Sequence, residues 1–459
     1  MDQERPPIGL RAIFNDPKRV SQGFQILKAL TFNARAKATL WSDYRPWRKV
    51  RSIARDLGYD AIETWIATKL RRQASMRTLP LLLPDGKDLF HICHDALIDS
   101  ALHRIDRATG GGGPAALEGT RGALGDEDRR RALRIRTLMD EAAESSIIEG
   151  AATTRKLAVE MLRAGRSPKS KAERMVHNNY RAMQAIKDWR ARPLSVDMLV
   201  ELQSLLTEGT NPKEERGRLR RMGEDIRVWD DRDDAPIYTP PAADMLPARL
   251  DQLCVFANTQ HDGAEFLHPI VKAAILHFMI GFEHPFVDGN GRTARAVFYW
   301  YAIKHDYTIV EYLAISEIIR KGIARYPQAY LDSELDDGDL TYFVLYHLDV
   351  IEQALDGLAK HIEREEEKLK RSEEIVRVAP GINLRQRWIL EHALRHPAQE
   401  YTVKSHANSV GIAPATARAD LEGLVSEGLM GTMKRRKEVI YVFLPKLAEK
   451  LSRKAKSRA

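Results

Sequence analysis

Residues 284–295 read HPFVDGNGRTAR, and no other stretch constrains the fold as tightly. It follows a run, His268 to Phe282, in which Leu267, Ile270, Val271, Ala274, Ile275, Phe278 and Met279 cover most of a helical circumference. That pattern predicts a buried core helix, with Pro269 in the first turn, where its missing N–H costs nothing. A second helical run, Thr293 to Ile303, comes after. The stretch is therefore a loop between two helices that closes at a helix N-terminus. Asp-Gly and Asn-Gly pairs also make hairpin turns, but a hairpin needs alternating strands on both sides, and these flanks have helical period.

The residue types define a chemistry. Gly289, Asn290 and Gly291 allow successive backbone N–H groups to point into one concavity, an anion nest at a helix start. Arg292 and Arg295, three apart, can face the same anion, and two planar donor forks suit a polyphosphate. Asp288 is a hard oxygen ligand beside the nest, suited to Mg²⁺ bridging phosphates. His284 can be neutral near pH 7 and accept a proton from a hydroxyl. Phe286 is expected to anchor the loop in the core.

HPFVDGNGR followed by Arg295 resembles the signature of the Fic (Fic/Doc) family, with no departure in the core motif. The resemblance covers roughly residues 126–345. It implies a mostly helical fold and transfer of AMP from ATP to a Ser, Thr or Tyr hydroxyl of a target protein, with release of pyrophosphate. On that resemblance His284 is catalytic and deprotonates the hydroxyl, and Asp288 holds Mg²⁺. Gly289, Asn290 and Gly291 cradle phosphate, and Arg292 and Arg295 bind the β- and γ-phosphates. Gly291 stands where a Doc-like kinase typically carries Lys. Two alternatives remain open: transfer of another nucleotide monophosphate, and a nucleotide-sensing, DNA-binding transcription regulator.

Two flanking segments extend the resemblance. In Arg216 to Pro241, residues 226–229 and 237–238 read as short strands around a polar turn over 230–234, similar to the family's flap that docks a target backbone by strand addition. Upstream, Ser145-x-x-x-Glu149-Gly150 resembles the family's inhibitory motif on an N-terminal helix near 141–150. Glu149 would pair with Arg295 and occupy the guanidinium meant for the γ-phosphate. Some relatives also remove AMP, which this reading leaves open here.

The rest of the 459 residues divides by composition and charge. Two cysteines, Cys93 and Cys254, make no disulfide framework, which points to a reducing, cytoplasmic setting. The longest apolar run, Ile270 to Phe282, is broken by Lys272 and His277 and falls short of a membrane span. The N-terminus has no signal-peptide core. The net charge of +8 is unevenly placed, with both ends basic and residues 141–380 acidic.

Residues 1–109 read as a small mixed domain with a hairpin around Pro84-Asp85-Gly86, and 110–125 as a Gly-rich linker. The catalytic core is expected over 126–370. Residues 381–459 read as a winged helix-turn-helix: helices over 402–410 and 414–427, then strands over 430–433 and 439–443 with Lys434 to Lys437 at the tip. Thr416, Arg418 and Ala419 would face DNA, while the wing and the tail bind phosphates. Asp420, Glu422 and Glu427 count against that role. The fold class is thus mainly α, a Fic-type helical core with a β-hairpin flap between a mixed N-terminal domain and a winged-helix C-terminal one. Expected partners are ATP, a target hydroxyl and DNA, with no membrane; a homo-oligomer is left open. His91, His94 and Cys93 lack a second ligand pair and are not read as a metal site. His277 reads as a hydrogen-bonded core histidine; Ser316, Tyr326 and Tyr330 fall where the resemblance brings the family's later helices near the nucleotide, and read equally as packing residues.

Overall fold

The computed structural model describes residues 4–84, 86, 88–109, 127–224, 226–230, 235–378, 381–396, 399–435 and 438–444. The chain is mainly helical. Its N-terminal helices are α1 (Leu10–Phe14), α2 (Pro17–Phe32), α3 (Ala34–Leu40), α4 (Trp47–Asp56) and α5 (Ala61–Gln73). Asp16, Asn33 and Asp60 cap α2, α3 and α5 by accepting first-turn N–H groups. The five helices close over Leu30, Leu40, Trp47, Trp65 and Leu70.

Strands β1 (Met76–Leu82) and β2 (Leu89–Cys93) form the expected hairpin, antiparallel and with a register shift between Thr78 and Leu82. It is followed by α6 (Ala96–Thr109). Leu79, Leu81, Phe90, Ile92, Ile98 and Ile105 from these elements lie in the same hydrophobic core as the central helices. The core therefore crosses the boundary expected at 109. The expected linker lies outside the described residues.

That core is built by α7 (Glu127–Ile148), α8 (Arg155–Ala164), α9 (Lys171–Asp188) and α10 (Val196–Leu206), then the flap strands β3 (Val228–Asp230) and β4 (Ala235–Tyr238). It continues with α11 (Leu246–Asn258), α12 (Pro269–Glu283), α13 (Asn290–Lys304), α14 (Ile315–Lys321), α15 (Arg325–Leu335) and α16 (Thr341–Val378). Helix α12 is buried from Ile270 to Ile280 and packs on α13, as its all-round apolar pattern requires. His277 is buried within it and shares protons with His347 (2.7 Å) and the Tyr326 hydroxyl (2.7 Å). Tyr330 stacks on Phe278, and Ser316 donates to Glu141 (2.5 Å). In the flap, β3 and β4 are antiparallel, pairing Val228 with Tyr238 and Asp230 with Ala235; the turn over 231–234 lies outside the described residues.

The C-terminal unit has its own core around Leu390, Leu421, Leu424, Met430 and Tyr441. Its elements are α17 (Leu384–Arg395), β5 (Glu400–Tyr401), α18 (Val403–Val410), α19 (Pro414–Ser426), β6 (Met430–Arg435) and β7 (Glu438–Phe443), with sheet order β5-β7-β6. Helix α17 and strand β5 are additions to the elements expected from sequence. Thr402 and Ser405 form a capping box at the start of α18, and Gly411 ends that helix at φ 67°. Thr416, Arg418 and Ala419 are exposed on α19, whereas Asp420 is buried against Arg385, Asn383 and His406. Asp420 is thus an internal ion-pair partner and does not present charge on the outer face of α19. Arg436, Lys437 and the tail lie outside the described residues.

Candidate active site

The loop between α12 and α13 is held from several sides. Helix α12 ends on His284 in the left-handed region (φ 46°), a conformation uncommon for a non-glycine residue. Gly289 sits at φ 88°, and α13 begins immediately after it. Sequence period placed the start of this helix at Thr293. It starts at Asn290, so Asn290, Gly291 and Arg292 form its first turn. Their N–H groups belong to the set that has no intrahelical acceptor.

The Asn290 side chain has a task beside the backbone nest expected at this position. Its amide donates to Phe286 O (2.8 Å) and its oxygen accepts from Phe286 N (2.9 Å), so both ends brace the loop. The backbone of Asn290 remains in the nest. Phe286 is fully buried.

His284 is fixed through both its ring and its backbone. Its Nδ1 lies 3.1 Å from Gly281 O. A carbonyl can only accept, so Nδ1 carries the proton and Nε2 keeps a lone pair. Burial lowers the ring's pKa below 6.5, opposed by the Gly281 carbonyl and by the charges of Glu149 and Asp288. Arg220 Nε donates to His284 O (2.8 Å), and Arg220 Nη2 donates to Pro241 O and to Glu283 O (3.3 Å). Glu283, the residue before His284, is buried in a two-bond pair with Arg249 (2.7 Å each), whose Nη1 also donates to Leu83 O (3.1 Å) in the hairpin.

Asp288 is 42% exposed. One of its oxygens accepts from Gly289 N (2.6 Å), and the other lies 3.2 Å from Arg292 Nη2. Arg292 Nη1 donates to Leu206 O (3.0 Å). Gln203 accepts from Gly217 N (2.8 Å) and donates to Asp288 O (3.1 Å), which ties α10 and the pre-flap segment to the loop.

Arg295 is 1% exposed, and Ser145 and Glu149 reach it from α7 and the turn after it. Its Nε donates to Ser145 Oγ (2.8 Å), and its Nη2 donates to Ser145 O (2.9 Å) and Glu149 Oε1 (3.0 Å). The buried atoms Arg292 Nε and Arg295 Nη1 have no hydrogen-bond partner. A Cβ at Gly291 would overlap Glu149 Oε1 and lie 3.2 Å from Arg295 Nη1. The Glu149 carboxylate therefore rests on a motif position with no side chain. Helix α7 is fastened to α14 by Glu141 on Ser316 and by Glu144 on Arg320 (3.2 Å to Nη2).

All nine residues singled out from sequence thus converge: His284, Asp288, Gly289, Asn290, Gly291, Arg292, Arg295, Ser145 and Glu149. Arg220, Gln203 and Arg249 were not anticipated. Arg220 lies in the segment read as the flap, and nothing in its spacing marks it out. His91 and Cys93 come within 4.8 Å of Asp339, which accepts from Tyr44 and sits beside Lys69 and Arg72. Those cations already balance Asp336 and Asp339, and burial pushes the Cys93 thiol up to about 12, so the group is accounted for as a buried ion network.

Fold and site together define a helical protein whose central loop presents a histidine, a carboxylate and buried arginines at the start of one helix. Residues 193–302 match the Fic/DOC family, so this stretch of the chain is a Fic domain. It is 30% identical over 119 residues to the protein adenylyltransferase Fic of Drosophila virilis, and 30% identical over 106 residues to that of Nematostella vectensis. These stretches are 26% and 23% of this chain and 22% of each relative, so the match spans about a fifth of the length of those relatives. A solved Fic family protein from Desulfovibrio desulfuricans G20 aligns with 77% of this chain and 97% of its own, at 19% identity and TM-score 0.49. Ser145 and Glu149 precede the family-matched stretch.

Proposed function

We propose that the chain is a protein adenylyltransferase that moves AMP from ATP to a protein hydroxyl and is held silent by Glu149. The observation that carries this reading is the Arg295–Glu149 pair, set over Gly291 and beside a His284 whose Nε2 is available as a base. The unpartnered donors Arg292 Nε and Arg295 Nη1 fit a polyanion, because a buried cationic donor without an acceptor is costly. The first-turn N–H groups of α13 add their partial positive charge.

In the reaction, His284 Nε2 takes the proton of the target hydroxyl as its oxygen attacks the α-phosphorus. A new P–O bond forms, the bond from the α-phosphorus to the bridging oxygen breaks, and pyrophosphate leaves with that oxygen. Arg220 and the Arg249–Glu283 pair hold the His284 backbone in place. Mg²⁺ fits at Asp288, a single exposed carboxylate of the kind that holds this ion together with substrate phosphates, where it would neutralise phosphate charge. Strands β3 and β4 would receive the target backbone.

The test is incorporation of labelled AMP into the chain and into lysate proteins. Glu149→Gly is expected to raise it and His284→Ala to abolish it in either background. Labelled UTP, GTP and CTP in parallel decide whether another nucleotide is the donor. No incorporation from any nucleotide by the Glu149→Gly protein would refute the reading.

A second reading concerns residues 381–459, which we propose form a winged helix-turn-helix that binds DNA. The exposed Arg418 on α19, with the sequestration of Asp420, supports it. A gel shift with Arg418→Glu as control tests it; equal retention of DNA by both proteins would count against it.

A further inference from the structure

Helices α7 and α8 form an antiparallel hairpin whose turn carries Glu149. Near the tip, Arg155 pairs with Asp140 (2.8 Å). At the open end, Arg163 feels the charge of Arg136. The C-terminal unit sits across that open end, with α18 packed on both helices.

Two glycines lie where the units approach closely. A Cβ at Gly411, the end of α18, would lie 2.5 Å from Ile135 Cδ1 and 3.2 Å from Arg131 Cδ on α7. A Cβ at Gly165, the end of α8, would overlap the Asn408 amide and lie 2.8 Å from Lys404 Cε on α18. The polar contacts are Asn408 Nδ2 to Arg163 O (3.3 Å) and Arg131 Nη1 to Gly411 O (3.5 Å). One short helix thus bridges the two helices of the hairpin at its base, while the tip blocks Arg295. Ile135 and Glu149 are 14 residues apart in sequence, or about 20 Å along a helix axis at 1.5 Å per residue.

From this arrangement we infer that the C-terminal unit is a clamp on the inhibitory hairpin, so that seating of α18 on α7 and α8 holds Glu149 against Arg295 and its displacement activates transfer. The inference rests on the reading of Glu149 as the brake. The hairpin carries Arg131, Arg136 and Arg163 at this end, with Arg163 feeling the charge of Arg136 against those of Asp140 and Glu160, and α18 adds Lys404 beside Gly165. Such a seat is releasable, because its two polar contacts are long, 3.3 and 3.5 Å, and Lys404 adds a cation to a basic end of the hairpin. Any macromolecule that pulls α18 away would thereby change the occupancy of Arg295, a coupling between two distinct surfaces through one two-helix element.

The test uses the full chain with labelled ATP. Asn408→Arg places a larger side chain against Gly165, and Lys404→Trp does so from an exposed position of α18. Each is expected to raise self-modification about tenfold, to increase hydrogen exchange in residues 131–165, and to add nothing to Glu149→Gly. Variants that raise exchange but leave incorporation at the wild-type level would overturn the clamp while leaving the brake intact. So would variants that multiply the Glu149→Gly rate by the same factor as the wild-type rate. A Glu149→Gly protein no more active than wild type would overturn both.

Discussion

A graded series at Glu149 tests the proposed brake by separating charge from shape. The carboxylate oxygen lies 3.0 Å from Arg295 Nη2, with Arg295 1% and Glu149 24% exposed. At an effective dielectric near 20, two unit charges at that distance attract by about 5 kcal/mol before desolvation is subtracted. Hydrogen bonds to charged groups give a net contribution of about 1.5–3 kcal/mol, which corresponds to roughly 10–150-fold in the population of the blocked state. Glu149→Asp withdraws the carboxylate by about one C–C bond, ~1.5 Å, which breaks the hydrogen bond while keeping the charge. Glu149→Gln keeps an acceptor and loses the charge. Glu149→Gly loses both. The expected order of self-modification is wild type lowest, Asp and Gln intermediate, and Gly highest by about 10–150-fold. The apparent KM for ATP should fall in the same order as Arg295 is released. AMP incorporation at several ATP concentrations reads both quantities. A Gln variant as silent as wild type would refute the electrostatic account and leave occlusion by the side chain over Gly291 as the block.

Other expectations follow from single contacts. His284 acts as a base only when neutral, and burial lowers its pKa, so the acid limb of kcat/KM should lie below pH 6.5. In Glu149→Gly, which removes a charge that raises that pKa, the limb should move lower still. Asn290→Ala should cost about 1–3 kcal/mol by leaving two Phe286 backbone groups unpaired, seen as a lower Tm together with lost activity; an unchanged Tm would deny the brace. Arg220→Met should lower kcat more than it raises KM, because Arg220 holds the His284 carbonyl rather than the nucleotide. His347 is buried, with its pKa lowered to about 4. The unfolded chain then binds the extra proton between about pH 6.5 and 4, so stability contributed by this group is full above that window and is lost as pH falls through it. In His347→Phe the dependence of Tm on pH across that window should flatten.

The make-up of the site was legible because it is contiguous. Nine positions of one loop carry His284, Asp288, Gly289 to Gly291 and Arg292, and local residue types suffice to expect them together at a helix start. Glu149 was legible only through resemblance, since a Glu before a Gly at the end of a helix is an ordinary sight. The braces were not legible. Arg220, Gln203 and Arg249 reach the loop from elements 34 to 85 residues away in sequence, and their spacing shows neither which face they take nor what they touch. The start of α13 was misplaced for a related reason: Gly and Asn have low helix propensity, yet Gly289 at positive φ lets the chain turn and the Asn290 clamp on Phe286 holds the first turn.

Asp420 and Gly291 show how burial changes the meaning of a residue type. Read along the chain, Asp420 is a negative charge on a helix proposed to meet DNA. In the fold it is the internal partner of Arg385 and His406, with its carboxyl held below the usual range mainly by hydrogen bonds from Arg385, Asn383 and His406 that overcome desolvation. Gly291 reads as a phosphate cradle, and the absent Cβ serves that purpose. The same absence is what admits the Glu149 carboxylate. A methyl group there would expel the brake and crowd the nest together, so Gly291→Ala should disturb Glu149 seating in the wild type. In the Glu149→Gly background the carboxylate is already gone, and only the effect on ATP binding should remain. Equal effects of Gly291→Ala in both backgrounds, read as the change in KM for ATP, would show that the position serves the nucleotide alone.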